Sequence, residues 1–306
     1  MEVSRLSSLS FDTTMSLPMI DFLHVGLTVA GASQKTLGRN VAIGTKISRF
    51  SAVFGIHPLV CTRLWDCLQE FDNERKLERF FLCLNWLKCY DKESVLAVRY
   101  DLSEKELRLW LWYYAECLSF LSQSLISMPE SFDDRLHFPM VVDGTHCMIY
   151  EPMHELYPMD RDYFSHKHHT AAYAYQLTLS TRESKILSIH GPFPAGKFSD
   201  KAMWRHTGME AFMVAQNKRA IADGGYEGMK GVAIPMRRYH SKLTGIYFRR
   251  NRARVERLMG YFKNFAVLDT TFRIRKERLR KHEIVFRAVA AIVATQLATE
   301  NPIFAA

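Results

Sequence analysis

Two aspartates stand at the ends of predicted buried strands, and each precedes a glycine. They are Asp143, in the run Val142-Asp143-Gly144, and Asp223, in the run Ala222-Asp223-Gly224. A carboxylate at the end of a buried strand loses hydration, and a second carboxylate nearby repels it, so its charge is costly unless a cation neutralises it. A divalent metal ion is the simplest such cation. The alternative is that each Asp-Gly pair only opens a turn.

A third acid, Glu256, falls in a segment with the period of a long helix, from about residue 249 to 265. The buried stripe of this helix is predicted to comprise Val255, Leu258, Met259 and Phe262. Glu256 lies at the edge of that stripe, with Arg252 four residues before it. Taken alone, Glu256 is explained by an exposed ion pair with Arg252, which would contribute no more than about 1 kcal/mol.

Taken together, the three acids predict a site for phosphodiester chemistry. Mg²⁺ and Mn²⁺ prefer oxygen ligands. Asp143, Asp223 and Glu256 could therefore hold two such ions about 4 Å apart for in-line attack at phosphorus.

The distribution of positive charge points to a polyanionic partner. The chain of 306 residues has a net charge of +9, yet residues 237–281 contain 15 Lys and Arg against 3 acids, so this stretch carries +12 and the rest carries −3. Such a concentration is typical of a nucleic-acid surface. The candidate DNA-binding side chains on the predicted helix are Arg249, Arg250, Arg252, Arg254, Arg257 and Lys263. The alternatives are a solvated basic face or a localisation signal in residues 273–281.

Three regions are predicted along the chain. Residues 1–45 have no sustained period and are predicted to be a poorly ordered lead-in, whereas residues 46–128 have helical periodicity throughout. Ser103 and Glu106 match a capping box, and a short helix and a turn precede them. This pattern favours a helix-turn-helix, although a plain helical bundle would have it too.

Beyond a polar break at residues 129–134, the period changes from 3.6 to 2. Residues 135–304 are therefore predicted to form an α/β domain with a mixed sheet and flanking helices. Its predicted strands are 138–143, 173–180, 185–190 and 219–223, and its predicted helices are 200–206, 209–216, 249–265 and 283–299.

Several other kinds of site are excluded by spacing. The six cysteines contain no CxxC pair or zinc-ribbon pattern, so they are expected to be reduced, buried thiols. His166, His168 and His169 share a loop with Lys167 but lack the HExxH spacing of a metal site. No P-loop and no GxSxG elbow occurs. No run of 18 apolar residues and no signal peptide is recognised, so no membrane association is expected.

Ordered motifs then identify a family resemblance, which covers residues 84–304. The motifs are Val142–His146, Glu151-Pro152, Gly191–Gly196, Ser199-Asp200, Met203–Arg205, Ile221–Gly228, Ala253–Arg257 and Gly260–Lys263. In this order they resemble the DDE transposases of the PIF/Harbinger group, relatives of the IS5-type bacterial transposases. The resemblance implies an RNase H-like fold, with Asp143, Asp223 and Glu256 as catalytic acids and metal ligands and Asp200 as an accessory acid. The chain departs from the family pattern at Gly224, where a basic or polar residue is more usual.

The resemblance also implies a function. A transposase of this group would cleave DNA at transposon ends and join it to target DNA by two-metal phosphodiester transfer. It would act in the nucleus, as a homo-oligomer and with a separate Myb-like DNA-binding partner. Two alternatives remain open: a host-recruited relative that binds DNA or protein without transposing, and an RNase H-type ribonuclease, because fold alone does not separate these functions.

Overall fold

The computed structural model describes residues 18–68, 76–150, 161–235, 241–273 and 279–300. The chain divides into two compact units. The helical unit comprises Met1–Leu125, Asn264–Val267 and Ile284–Thr299. The sheet unit comprises Ile126–Lys263, Leu268–Glu283 and Glu300–Ala306.

Helices build the described part of the helical unit. They are α1 (Met19–Val29), α2 (Gln34–Leu37), α3 (Ile43–Phe54), α4 (Pro58–Leu68), α5 (Leu77–Cys89), α6 (Glu93–Arg99) and α7 (Glu104–Leu125). Their core is aromatic: the ring of Phe81 lies 5.9 Å from the rings of both Phe22 and Phe50, in edge-on contacts. The segment predicted as a lead-in therefore contains a helix, α1, that buries Phe22 in this core.

The turn between α6 and α7 has the predicted cap. The hydroxyl of Ser103 accepts a hydrogen bond of 3.2 Å from the backbone N–H of Glu106, which satisfies one free donor at the start of α7. Arg108 in the next turn forms ion pairs with Glu93 and Glu104. A helix–turn–helix connection is thus present, and DNA binding through it stays a prediction.

A mixed sheet with flanking helices forms the sheet unit. Its strands in the described residues are β1 (Met140–Met148), β2 (Phe164–Ser165), β3 (Thr170–Ser180), β4 (Ile186–Pro194), β5 (Ala220–Ile221) and β6 (Val232–Ala233). The strand order is β2-β3-β1-β5-β6, and β4 also pairs with β3. β3 is antiparallel to β1 and β4, whereas β1, β5 and β6 are parallel. This architecture is RNase H-like, as the resemblance implied.

The remaining helices are α8 (Asp200–His206), α9 (Met209–Ala215), α10 (Lys242–Lys263), α11 (Ala266–Asp269) and α12 (Leu279–Glu300). α10 packs against β1 and β5. Trp204 of α8 lies fully buried in a core that also contains Met140, Val142 and Tyr226. No helix in the described part of the chain combines the length and hydrophobicity that a membrane span requires.

The strands differ from the sequence prediction in two ways. The first strand does not end at Asp143, because pairing with β3 continues from Met140↔Ser180 to Met148↔Ala172. β2 and β6 have two residues each, too few for any alternation of polar and apolar side chains to predict. Three predicted features lie partly or wholly outside the described residues. The Glu151-Pro152 motif falls in residues 151–160, part of the predicted lead-in falls in residues 1–17, and part of the basic run falls in residues 274–278.

Candidate active site

Asp143 lies on β1, and Asp223 lies at the matching position just beyond the end of the neighbouring parallel strand β5. Val141 of β1 pairs with Ile221 of β5, and each aspartate follows two residues later. Side chains two residues apart on a strand point to the same face, so this register places the two carboxylates beside each other. β5 ends at Ile221, and Asp223 begins the turn after it.

Each aspartate also orders the backbone that follows it. Oδ1 of Asp143 accepts a hydrogen bond of 2.8 Å from the N–H of Gly144, and Oδ1 of Asp223 accepts one of 2.9 Å from the N–H of Gly225. The turn-opening interpretation therefore holds for Asp223, which caps the short 3₁₀ turn Gly224–Tyr226. Each bond uses one oxygen, so the other oxygen of each carboxylate stays available for a cation.

A third aspartate, Asp200, joins these two. It begins α8, where the hydroxyl of Ser199 caps the helix by accepting from the N–H of Ala202 at 3.4 Å. A β-carbon placed on Gly225 would lie 2.8 Å from Oδ2 of Asp200 and 3.0 Å from Oδ1 of Asp223. The two carboxylates therefore share one small space.

Burial and the mutual repulsion of the carboxylates both raise the pKa values in the cluster. The pKa of Asp143 is raised to about 6: burial is the largest cause, the neighbouring Asp223 and Asp200 also raise it, and the Gly144 N–H and the Lys167 ammonium oppose the rise. Burial first, and then Asp223, raise the pKa of Asp200. In the absence of a cation, the sheet unit thus bears an electrostatic cost at this position.

This cost predicts a pH-dependent gain of stability for Asp143→Asn. The folded-state pKa of about 6 lies above the unfolded value of about 3.9. Below about pH 4 the carboxyl is neutral in both states, so it costs nothing; above about pH 6 the full penalty is present. In EDTA at pH 8 the variant should therefore gain about 3 kcal/mol in free energy of unfolding, measured by urea titration.

At pH 4 the same comparison should show almost no gain. Asp134→Asn is the matched control, because Asp134 is exposed and should give no gain at either pH. A gain that is equal at pH 4 and pH 8 would contradict the assignment of the penalty to the ionised Asp143.

Glu256 does not join the aspartates. Its side chain is 62% exposed on α10 and forms an ion pair of 3.5 Å with Arg252. The carboxylates that raise the pKa of Asp143 are Asp223 and Asp200, and Glu256 is not among them. The buried face of α10 comprises Phe248, Asn251, Val255, Leu258 and Phe262. The structure therefore shows the exposed pair that spacing alone had favoured.

The six basic candidates on α10 divide into two groups. Arg249, Arg250 and Arg257 are exposed, and Arg252 pairs with Glu256. In contrast, Arg254 donates to the carbonyl of Thr181 at 3.0 Å, and Nζ of Lys263 donates to the carbonyls of His146 and Leu268, both at 3.0 Å. Arg254 and Lys263 thus hold α10 to the rest of the sheet unit.

Lys167 is the site residue that the sequence did not single out. Nδ1 of His146 on β1 lies 2.7 Å from the hydroxyl of Ser165, which also accepts from the N–H of His168 at 3.3 Å, so the loop after β2 is anchored to β1. The positive charge of Lys167 lowers the pKa of both Asp143 and Asp200. Its position in a basic loop between strands is the signal that could have suggested it.

A buried hydrogen bond between Gln176 and Tyr226 lies next to the aspartate cluster. Gln176 on β3 pairs with Gly144, which follows Asp143, and Nε2 of Gln176 donates to the hydroxyl of Tyr226 at 3.0 Å. Tyr226 ends the turn that Asp223 caps, and both side chains of this pair are fully buried. A satisfied buried network of this kind fixes the turn relative to β1.

The chemistry of the cluster fits a hard divalent cation. Three carboxylates supply only oxygen donors, which suit Mg²⁺ and Mn²⁺ and not zinc or copper in a soft site. In the described residues, no group of three His, Cys, Asp or Glu side chains is gathered into a complete metal site. The donor type of the cluster therefore fits a hard divalent cation.

Comparison with known protein families finds a match for this chain. A family profile described as DDE superfamily endonuclease matches residues 142–294. Neither a curated protein nor a solved structure matches the chain. The matched segment is half of the chain, and it contains the convergent aspartates Asp143, Asp200 and Asp223 as well as Glu256. The chain therefore belongs to the DDE superfamily endonuclease family.

Proposed function

We propose that this chain is a metal-dependent DNA endonuclease of the transposase type, which cleaves transposon ends and joins them to target DNA. The observation that carries the proposal is the convergence of Asp143, Asp200 and Asp223 within the segment that matches the family. These carboxylates come from β1, the turn after β5 and the start of α8 in an RNase H-like sheet unit. Family membership supports DNA as the substrate.

Asp143 and Asp223 would hold the metal, because their matched register gives a pair of carboxylates with one oxygen each still available. Bound Mg²⁺ or Mn²⁺, as two ions, would supply an activated nucleophile and charge stabilisation at the leaving oxygen. The chain itself contributes the geometry: the turn at Gly224–Tyr226 and the network around Gln176 keep the two aspartates on one side of the sheet.

The exposed arginines of α10 would bind the DNA backbone. Arg249, Arg250 and Arg257 are exposed on the helix that packs against β1 and β5, the strands that carry or precede the aspartates. Each phosphate contact releases condensed counterions, so binding through this surface should weaken steeply with salt. Glu256 is part of the same exposed surface and would need to leave Arg252 to act as a metal ligand.

The finer parts of the proposal follow the motif resemblance. They are a PIF/Harbinger-type activity, action as a homo-oligomer, a separate Myb-like DNA-binding partner and a place of action in the nucleus. The motifs that support them in the described residues include Val142–His146, Ser199-Asp200 and Ala253–Arg257.

Plasmid nicking tests the proposal directly. The purified full chain is expected to nick supercoiled DNA with Mn²⁺ and not with EDTA, and Asp134→Asn should nick as the wild type does. Mn²⁺ at about 100 times its dissociation constant should also stabilise the protein by about 2.7 kcal/mol. If the protein binds DNA but neither binds Mn²⁺ nor nicks, the proposal is overturned in favour of a binding-only relative. Preferential cleavage of an RNA–DNA hybrid would instead favour a ribonuclease.

A further inference from the structure

The carboxylate of Asp200 lies in a slot between two glycines. One is Gly144, directly after Asp143, and the other is Gly225, two residues after Asp223. A β-carbon on Gly144 would collide with Oδ1 of Asp200, and one on Gly225 would lie 2.8 Å from its Oδ2. Real β-carbons do not approach other atoms this closely, so both positions must lack a side chain for Asp200 to keep its place.

The packing of α8 fixes the position of Asp200 at the start of this helix. Met203 and Trp204, in the same turn of α8, are fully buried, and Ser199 caps the helix start. The indole N–H of Trp204 donates to the carbonyl of Lys230 at 3.1 Å, which fixes the helix to the segment after the Asp223 turn. These contacts fix the backbone of Asp200 relative to the turn that Asp223 begins, so the side chain starts from a fixed position beside the slot.

Asp200 contrasts with the acid that the motif resemblance assigns as the third ligand. Glu256 is exposed and paired with Arg252, whereas Asp200 is partly buried and shares its space with Asp223. Like charges placed so close are unfavourable without a cation between them. The nearby Lys167 supplies one positive charge against three carboxylates.

We propose that Asp200 is a ligand of the divalent metal, as the third carboxylate beside Asp143 and Asp223, and that Gly144 and Gly225 are required because they admit its side chain. This inference rests on the proposed metal-dependent function and assigns a direct role to a residue that the motifs suggest only as accessory. With Asp200 as a ligand, the proposed metal site would combine side chains from α8, from β1 and from the turn after β5.

Mn²⁺ affinity of the full chain, measured by calorimetry, tests the inference without any assay of activity. Asp200→Asn keeps the size of the side chain and is expected to weaken Mn²⁺ binding at least tenfold, about the loss seen when groups around a metal are removed. Gly225→Ala should weaken it similarly, because the new methyl group displaces the end of the Asp200 side chain.

The neighbouring glycine provides a matched control. A β-carbon on Gly224 would meet nothing within 4 Å, so Gly224→Ala should bind Mn²⁺ within about twofold of the wild type. Melting temperatures in EDTA show whether each variant is folded. If Gly225→Ala does not fold, Asp200→Asn still decides the question, because its isosteric change places no new atom in the slot.

The outcomes separate this inference from the proposed function. If Asp143→Asn and Asp223→Asn lose Mn²⁺ binding while Asp200→Asn keeps it or binds more tightly, Asp200 only repels its neighbours and the inference is overturned. Tighter binding would arise because removal of the Asp200 charge favours the ionised form of its neighbours. If the wild type itself binds no Mn²⁺, the proposed function fails first.

Discussion

Asp143→Asn is expected to reduce Mn²⁺-dependent DNA nicking by about a thousandfold, because it removes the charge of one of the two carboxylates that are proposed to hold the metal. Metal coordination contributes several kcal/mol of transition-state stabilisation, and a loss of about 4 kcal/mol corresponds to three orders of magnitude in rate. Asparagine keeps the acceptor for the N–H of Gly144, so the local backbone should not change. The loss should therefore appear as chemistry and not as unfolding.

Initial rates of plasmid nicking at saturating Mn²⁺ measure this effect. Asp134→Asn should retain the wild-type rate, since Asp134 is exposed and lies outside the cluster. The double variant with Asp223→Asn should be hardly slower than either single variant, because residues that act as one unit are not additive. A residual rate above a tenth of the wild type would show that Asp143 is not a metal ligand in the reaction.

Trp204→Ala is expected to lower the free energy of unfolding by about 4 kcal/mol, the range found for deleting a large aromatic side chain from a core. Trp204 is fully buried, and its ring lies 6.1 Å from the ring of Tyr226, edge to face. Its removal leaves a cavity and also deprives the carbonyl of Lys230 of its donor. Because Trp204 lies one turn after Asp200, Mn²⁺ affinity should fall as well.

Urea unfolding in EDTA, followed by far-ultraviolet circular dichroism, measures this loss. Val214→Ala is the control: Val214 is 49% exposed on α9, so its truncation should change stability by less than about 0.5 kcal/mol. A cost below about 1 kcal/mol for Trp204→Ala would mean that the surrounding core collapses into the cavity. In that case α8 would not be fixed by this side chain.

Local patterns predicted the helices and the hairpin of the sheet unit well. The predicted helix 200–206 has the observed bounds, because Ser199 offers a cap and Met203 and Trp204 supply its buried face. The strands 173–180 and 185–190 do form an antiparallel hairpin, as β3 and β4. Both features depend on residues close together in sequence, where period and cap are sufficient signals.

The extent of β1 could not be predicted in the same way. Gly144 and the polar residues after it resemble the end of a strand, yet antiparallel pairing with β3 continues through Met148. Tertiary pairing thus overrides the local turn signal, as it commonly does for strands. The closeness of the two aspartates does not depend on where β1 ends, since it follows from the register of Val141 with Ile221.

In the candidate site, too, contacts between residues close in sequence could be predicted, and contacts between distant residues could not. The ion pair of Glu256 with Arg252 is visible from a spacing of four residues, and the structure contains it. The slot for Asp200 depends on Gly144 and Gly225, which are far from it in sequence. A local sequence pattern around Asp200 therefore cannot indicate the slot. The motif resemblance named Asp200, but its closeness to Asp223 required three-dimensional structure.

The course of α12 has a consequence for how the chain is made. Residues 284–299 of this helix belong to the helical unit, whose other long helices all precede residue 126, and the guanidinium of Arg63 donates to the hydroxyl of Thr299 at 2.9 Å. A unit completed by contacts so distant in sequence folds late, because the intervening chain must be closed into a loop first. During synthesis, we therefore expect the helical unit to complete its packing only after residue 299 has left the ribosome.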